Sequence, residues 1–466
     1  MEFIKNMFQD KGFLKKTFAI TVPIALQNLL NNFLNMIDTV MISSLGQTQI
    51  AGVGLANKVY FVFSLLLFGV CSGSGVLASQ YYGKRELLNI KRVLSMSLMI
   101  AVGGSLLFAL PATLFPDTVM RIFTEKPDTI AEGAKYLVII ALSYPLTAMT
   151  QAYVAILRSM NCVKLPVVIT SVAIGVNIFL NYSLIFGHFG MPVLGVAGAA
   201  LATLIARIVE CGILLIIVYT RKTGDDGIGD FIHTKLGKAK ELGEKMLNKP
   251  FVNRYLGTAS PVIANEFMWG LGITMYSMVY GRMGDEAVAV TTITSTVESL
   301  ALVFFFGICN AAAVILGNEM GASRLKKAEE HAKRYIVMLL IFTFFGAILT
   351  LIIKEPVIRL FGMPEEVNGY IRICLTAFAI TMPIRMLNCL LIIAILRSGG
   401  DTKAALFLDV SSVWLIGVPM AFLGGLVFKF PVHIVYIMIT IEELYKITLG
   451  LLRYRKKRWL RNIVAD

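Results

Sequence analysis

Polar and ionisable side chains recur at helical intervals inside segments that are otherwise apolar. In the first such segment they fall every three to four residues, mostly on one face of a helix, and the segment ends in a carboxylate. These residues are Gln27, Asn28, Asn31, Asn32, Asn35 and Asp38. A seventh segment carries a similar stripe of Asn265, Glu266, Trp269, Tyr276 and Tyr280. Ionisable groups in hydrocarbon are costly and usually functional, so Asp38 and Glu266 are candidate coupling residues.

Other polar residues extend this pattern in both halves of the chain. Asn177 and Asn181 lie one turn apart in the fifth segment and, with Asp38, could supply oxygen ligands to a cation or a proton-linked network. The alternative is that these amides only join helices. Further acids in apolar segments are Glu298, Asp409, Glu442 and Glu443. Basic residues that could pair with them are Lys58, Arg207, Arg385 and Lys446.

Buried carboxylates of this kind predict ion-coupled transport. A coupling ion and an organic cation that compete for the same acids give antiport by mass action, with no covalent step. The chain has no GxxxxGK[ST] loop, no HExxH motif and no CxxC pair, so we expect neither an enzyme nor an ATP-driven pump. The sequence predicts no cofactor besides H⁺ or Na⁺, and no metal site beyond Na⁺ at Asp38 or Glu266.

The composition shows which elements must position these residues. Of 466 residues, 57% are hydrophobic and only 15% are charged, and the mean hydropathy is +0.75. Such a chain must face lipid, and its apolar runs are too long for barrel strands. The sequence predicts an all-α integral membrane protein with twelve spans. They are 17–44, 50–81, 93–115, 130–157, 164–187, 193–219, 255–282, 287–319, 332–353, 368–396, 404–428 and 431–451.

The net charge of +14 follows the predicted topology. Lys and Arg concentrate before the first span, after the second, in 220–254, in 322–334 and in the C-terminal tail, while the opposite loops are nearly bare. This bias places both termini in the cytoplasm and indicates attraction to anionic membrane lipid. It predicts no nucleic-acid partner.

The second half of the chain repeats the first at an offset of 238 or 239. Pro23 corresponds to Pro261, Asn28 to Glu266, and "AILRS" ending at Ser159 to "AILRS" ending at Ser398. The predicted organisation is an N-terminal lobe (1–219), a cytoplasmic linker (220–254) and a C-terminal lobe (255–466). Six spans per copy make the repeat parallel, which is typical of transporters that expose a cavity between two lobes to each side of the membrane in turn.

With these residues in place, the chain resembles the multidrug and toxic-compound extrusion (MATE) family, within the wider flippase and exporter superfamily. The likeness runs from Thr17 to Arg461, and three of its most specific pieces are "VPIALQNLLNNFLNMIDTVMISSLG", "ILRSGGDTKAALFLD" and "VWLIGVP". The resemblance implies export of cationic amphipathic compounds, coupled to inward H⁺ or Na⁺.

The resemblance also assigns roles to single residues. Asp38 matches the family's first-helix acid, Asn177 matches the amide of its N-x-x-x-D motif, and Thr203 matches its sixth-helix hydroxyl. Asn181 stands where that motif has its acid, which weakens a proton switch confined to the N-lobe and leaves Asp38 as the only carboxylate of such a switch. Glu266 resembles the seventh-helix acid of the C-lobe cation site. Asp401 and Asp409 both match the remaining acid, and Asp409 is preferred because it lies deeper.

The sequence therefore predicts a monomeric plasma-membrane exporter of small organic cations. Two alternatives stay open: a lipid-linked precursor flippase, which Arg207 and Arg385 would suit, and an uncoupled channel. The residues expected to line the substrate cavity are Gln27, Asn28, Asn31, Asn35, Asn265, Trp269, Tyr276 and Glu298.

Overall fold

A computed structural model describes residues 10–220 and 248–465, in which the regular elements are helices and no strand is present. The helices are α1 (Lys11–Ser43), α2 (Gln47–Gly83), α3 (Leu87–Leu114), α4 (Pro116–Arg121), α5 (Pro127–Ala141), α6 (Ser143–Ser159), α7 (Lys164–Phe186), α8 (Val196–Thr220), α9 (Lys249–Met283), α10 (Asp285–Gly321), α11 (Leu325–Phe361), α12 (Glu365–Leu396), α13 (Thr402–Val427) and α14 (Val432–Arg455). Helices α12 and α13 include π-helical turns at Leu390–Leu396, Val413–Gly417 and Leu423–Val427. The all-helical class is as predicted.

Eight of these helices are long and apolar enough to cross a membrane, and α5 with α6, bent by 45° across Leu142, makes a ninth if the pair is one span. The helices α1, α9 and α14 coincide with the predicted first, seventh and twelfth spans. With 33, 35 and 24 residues they are long enough to cross a membrane, but they are not among the eight helices that are also apolar enough. These are the helices in which the sequence places polar stripes or paired acids. The count of twelve spans stays a prediction.

Two helices begin before the predicted apolar spans, because polar residues at their N-terminal ends are also helical. Helix α1 begins at Lys11, six residues before the predicted span, and α9 begins at Lys249. The last part of the predicted linker 220–254 is therefore helical. The linker residues 221–247 lie outside the described part of the chain.

The chain forms two compact units. The first unit is Leu26–Ile263, and the second unit comprises the described residues up to Ala25 and from Ala264 onward. The boundaries fall within α1 and α9, three residues after Pro23 and three residues after Pro261. The units therefore differ from the predicted lobes 1–219 and 255–466. The first part of α1 belongs to the second unit, and the first part of α9 belongs to the first unit.

Glycines allow the exchanged helix segments to pack closely within each unit. In the first unit, a methyl group added at Gly73 would lie 2.7 Å from Ala259 Cα, so α2 and α9 touch through their backbones. In the second unit, a methyl group at Gly307 would lie 3.0 Å from the carbonyl oxygen of Thr21. Small residues at such contacts are typical of closely packed helices in membrane proteins.

Each unit has a core of its own. In the first unit Phe63 and Tyr144 stack with ring centroids 5.0 Å apart, among fully buried residues of α2, α5 and α6. In the second unit, buried residues of α10 and α12 pack together around Ile371 and Leu375. These cores hold in place the helices that carry the polar residues.

Candidate cation-binding cavity

A cavity of about 460 Å³ lies within the first unit, between α1, α2, α5, α6, α7 and α8. Its charged lining residues are Asp38, Arg207 and Glu210. The other polar lining residues are Gln27, Asn31, Asn35, Thr39, Asn57, Tyr60, Tyr136, Ser143, Thr147, Thr150, Gln151, Thr170, Asn177 and Thr203. The sequence predicted a cavity between two lobes, whereas this cavity belongs to a single unit.

The polar stripe of α1 provides one wall of the cavity. Gln27, Asn31, Asn35 and Asp38 all line it, as predicted from their spacing. Asn28 does not line this cavity, and its place in the predicted cavity between the lobes stays a prediction.

A chain of amides holds the carboxylate of Asp38. Asn181 donates both of its amide hydrogens, one to Asp38 Oδ1 at 2.6 Å and one to Asn177 Oδ1 at 2.9 Å. Asn177 in turn donates to Thr203 Oγ1 at 3.2 Å. The structure therefore brings together the four N-terminal residues predicted to act in coupling. Among the residues that the structure describes, none with a basic side chain lies within 4 Å of the Asp38 carboxylate.

Glu210 is a second buried carboxylate on the cavity wall, and the sequence analysis missed it. Arg207 pairs with Glu210 Oε2 at 2.6 Å, and Thr170 donates to Glu210 Oε1 at 2.9 Å. Gln27 donates to Thr170 at 3.0 Å and accepts a hydrogen bond from Arg158. Asp38 is therefore not the only carboxylate on the wall of this cavity. The signal was the spacing of Arg207 and Glu210, three residues apart in an apolar helix.

In the second unit the predicted coupling acids are ion-paired. Glu266 pairs with Arg397 at 2.7 Å, and Asp409 pairs with Lys446 at 2.9 Å. Asn265 donates to Asp409 at 2.9 Å, so the stripe of α9 does meet α13. Lys446 lies on α14 about one turn from Glu442 and Glu443, but it pairs with Asp409, because α13 packs against α14 at this point.

The remaining acids of the second unit have separate partners. Tyr276 donates to Glu442 at 2.5 Å, and Asn388 donates to Glu443 at 2.7 Å. Glu298 pairs with Arg385 at 2.8 Å and also accepts a hydrogen bond from Tyr436. Trp269 is 37% exposed. Asp401, the weaker match for the family's acid, binds Arg453 through both oxygens, away from this network.

One contact occurs in both halves with the same sequence separation. Arg158 binds Gln27 and Arg397 binds Glu266, each across 131 residues. The two arginines are 239 residues apart, as are Gln27 and Glu266. Gln27, and not Asn28, therefore occupies the position that corresponds to Glu266. An offset of 238 had paired the wrong residue because the register shifts by one between Pro23 and the "AILRS" segment.

Long apolar helices around a polar cavity define a multi-pass membrane transporter. A family model, MatE, matches residues 23–183 and 261–423, which is more than half of the chain. The two matches begin 238 residues apart. The chain belongs to the MatE family, whose members are multidrug efflux transporters and not enzymes. This confirms both the family resemblance and the prediction that the chain is not an enzyme.

Similar proteins extend over nearly the whole chain. The "Probable multidrug resistance protein NorM" of Thermotoga maritima is 25% identical over 97% of this chain and 94% of its own length. The "Uncharacterized transporter YisQ" of Bacillus subtilis is 26% identical over 98% of this chain and 97% of its own. A crystal structure of the Vibrio cholerae MATE transporter VcmN, in a mutant form, shares the fold with a TM-score of 0.84 at 19% identity, covering 96% of this chain and 97% of that one.

Proposed function

We propose that this chain is a secondary active exporter of cationic amphipathic compounds, which it exchanges for H⁺ or Na⁺. The observation that carries the proposal is the environment of the Asp38 carboxylate. Its carboxylate lies on the wall of a cavity, and no basic side chain of the described residues lies within 4 Å of it. A carboxylate that forms no ion pair, surrounded by apolar helices, attracts a cation from either side of the membrane.

The cavity has the size and lining of a small-molecule site. Its volume of about 460 Å³ is within the range of drug-sized pockets, roughly 300–1,000 Å³. The rings of Tyr60 and Tyr136 line it next to the amides of Asn31 and Asn35. Aromatic faces attract organic cations, and amides bind polar substituents without a fixed charge. This lining suits amphipathic cations of varied shape.

Exchange follows from competition for one carboxylate. A proton or Na⁺ on Asp38 neutralises the charge that would otherwise bind the substrate, so either the coupling ion or the organic cation occupies the cavity at one time. Asn181 keeps the Asp38 carboxylate in place in both cases, because it donates to Oδ1. Alternating exposure of the cavity to the two sides of the membrane then converts the ion gradient into export.

The second unit offers further positions for the coupling ion. Glu442 and Glu443 accept hydrogen bonds from neutral donors, Tyr276 and Asn388, whereas Glu266 and Asp409 are each paired with a base. We therefore assign Asp38 the leading role and the second unit a supporting one. The proposal includes a monomer in the cell membrane with both termini in the cytoplasm, two six-helix lobes, and no cofactor besides the coupling ion.

Proteoliposomes with imposed ion gradients test this function. Purified protein should drive accumulation of ethidium, a monovalent organic cation, when either a proton gradient or a sodium gradient is imposed, and the effective gradient identifies the coupling ion. Ethidium movement without a gradient would indicate a channel. Absence of ethidium movement in both gradients, together with translocation of a lipid-linked phosphate, would indicate a flippase and refute the exporter.

A further inference from the structure

One of the side chains that line the cavity of the first unit is positively charged. Arg207 lines the cavity together with Asp38 and Glu210, and these three are the charged lining residues. The guanidinium is 2.6 Å from Glu210 Oε2, while Thr170 donates to the other oxygen of that carboxylate. Glu210 is only 3% exposed, so its charge is met by two donors inside the protein.

We propose that Arg207 sets the charge of the substrate that the cavity accepts. Arg207 is paired with Glu210 and forms no ion pair with Asp38, so the three charged lining residues together carry a net charge of −1. The cavity therefore takes one positive charge and discriminates against organic dications. The inference deepens the proposed cation export and rests on it. It makes Arg207 and Glu210 specificity-determining residues, although neither has to bind the coupling ion.

The hydrogen-bond chain behind Glu210 explains why this cation is fixed in place. Glu210 accepts from Thr170, Thr170 accepts from Gln27, and Gln27 accepts from Arg158. These hydrogen bonds connect Glu210 of α8 to three other helices of the unit, directly to α7 and through it to α1 and α6. Arg158 lies behind Gln27 and does not line the cavity. Arg207 is thus part of the wall and not a mobile counter-ion.

The second unit carries a comparable arrangement, which supports the inference independently. Lys446 stands 239 residues after Arg207, and Asp409 stands 239 residues after Thr170. Lys446 pairs with Asp409 at 2.9 Å. Both halves therefore place a basic residue at this position and neutralise one acid with it. The acid is Glu210 on the same helix in the first half and Asp409 on a neighbouring helix in the second.

Ethidium and propidium provide matched probes, because they share a phenanthridinium ring and differ by a second cationic group on propidium. Wild-type protein should bind and export ethidium in preference to propidium. Arg207→Gln exposes a second carboxylate and should shift the ratio of dissociation constants toward propidium by roughly tenfold or more, the effect of one charge at short range. Glu210→Gln frees Arg207 to face Asp38 and should weaken ethidium binding by about as much.

The double variant Arg207→Gln/Glu210→Gln removes one charge of each sign and should return the ratio to that of the wild type. Lys58→Gln serves as a matched control, because Lys58 is an exposed cation outside the cavity and its loss should leave the ratio unchanged. Binding is measured by fluorescence on monodisperse protein, and export is measured in the same proteoliposomes.

An Arg207→Gln variant that folds and keeps the wild-type ratio would overturn the inference. If that variant does not fold, the Glu210→Gln variant decides, since unchanged ethidium affinity there would also overturn it. Failure of the wild-type protein to move ethidium in any gradient would refute cation export itself, which is a separate result from an unchanged ratio.

Discussion

Asn181 Nδ2 lies 2.6 Å from Asp38 Oδ1 and donates a hydrogen bond to it. Asn181 stands where the resembled motif has an acid, so an amide here takes the place of a second carboxylate beside Asp38. The pair therefore consists of one charged group and one neutral donor that orients it. This relationship leaves Asp38 as the group whose charge can be exchanged.

Replacing Asp38 by Asn should abolish gradient-driven export without unfolding the protein. The new amide oxygen can still accept from Asn181, while the charge that binds the cation is gone. Ethidium transport by Asp38→Asn in proteoliposomes, compared with its elution on size exclusion, measures the two effects separately. Wild-type transport in this variant would contradict the role given to Asp38.

Asn181→Ala keeps the carboxylate but removes its donor, so we expect partial loss of transport. The sequence alone, which makes Glu266 a coupling acid of the second half, predicts a greater loss of export in Glu266→Gln than in Asn181→Ala. The ion pair of Glu266 with Arg397 reverses that ranking, because Glu266 is already neutralised. Transport rates of both variants under the same gradient decide the order. Greater loss in Glu266→Gln would place the coupling site in the second unit.

Glu266→Gln should fold nearly as well as the wild type, whereas Glu266→Ala should not. A glutamine can accept from Arg397 as Gln27 accepts from Arg158 in the first half. Alanine removes the acceptor from a buried guanidinium and should cost roughly 3 kcal/mol of unfolding free energy. Thermal unfolding in detergent compares the two variants. Equal loss of stability would show that the charge of Glu266, and not its acceptor, stabilises the unit.

Trp459 anchors the C-terminal tail to the second unit. It is fully buried and stacks on Tyr454 with ring centroids 5.7 Å apart, and a methyl group added at Gly399 would collide with its carbonyl oxygen. Trp459→Ala should lower the unfolding free energy by about 3 kcal/mol, as for other large buried side chains. Thermal unfolding in detergent measures this effect. The exposed neighbour Arg458 provides the control, since Arg458→Ala should leave the midpoint of thermal unfolding unchanged. An unchanged midpoint for Trp459→Ala would mean that the tail adds no stability.

The stability contributed by Asp10 should depend on pH. A hydrogen bond from Arg334, followed by one from the Phe13 backbone, holds the pKa of Asp10 below its usual value of 3.8. A lowered pKa means that the folded state favours the ionised form. The contribution is therefore complete above the usual pKa and disappears as the pH falls through the lowered one.

Asp10→Asn removes the charge but keeps a capping side chain for α1. Near neutral pH it should reduce the unfolding free energy by about 0.5 kcal/mol, as for an exposed ion pair. The difference from the wild type should shrink as the pH falls below the usual pKa of Asp10 and close once it passes the lowered one. A difference that stays constant over the pH range would show that the ion pair does not contribute.

The sequence was sufficient to predict the helical membrane class and the cluster around Asp38. Helical spacing alone places Gln27, Asn31, Asn35 and Asp38 on one face, and the structure agrees. Spacing also selects Asn177 and Asn181, and the resemblance adds Thr203. The structure connects these three residues by hydrogen bonds. Local periodicity and motif positions carry this information, so no tertiary contact had to be known.

Ion pairs between distant helices could not be predicted in the same way. The partner of Lys446 depends on how α13 packs against α14, and a sequence neighbour such as Glu442 competes with Asp409 on spacing alone. The pairing of Arg207 with Glu210 was within reach, since both lie on α8 three residues apart. The docking of the C-terminal tail could not be predicted. Its basic residues suggested contact with lipid, whereas Arg453 and Lys457 bind the protein itself, at Asp401 and Glu329.

The dependence of ethidium affinity on the concentration of the coupling ion tests the central claim most directly. If ethidium and the coupling ion compete for Asp38, the apparent Kd of the wild-type protein should rise in proportion to the ion concentration once the ion saturates the site, with the ion identified by varying pH and Na⁺ separately. In Asp38→Asn, the residual ethidium binding should be independent of that ion. The same ion dependence in wild type and Asp38→Asn would contradict the account and move the exchange to the second unit, where Glu442 and Glu443 would be tested next.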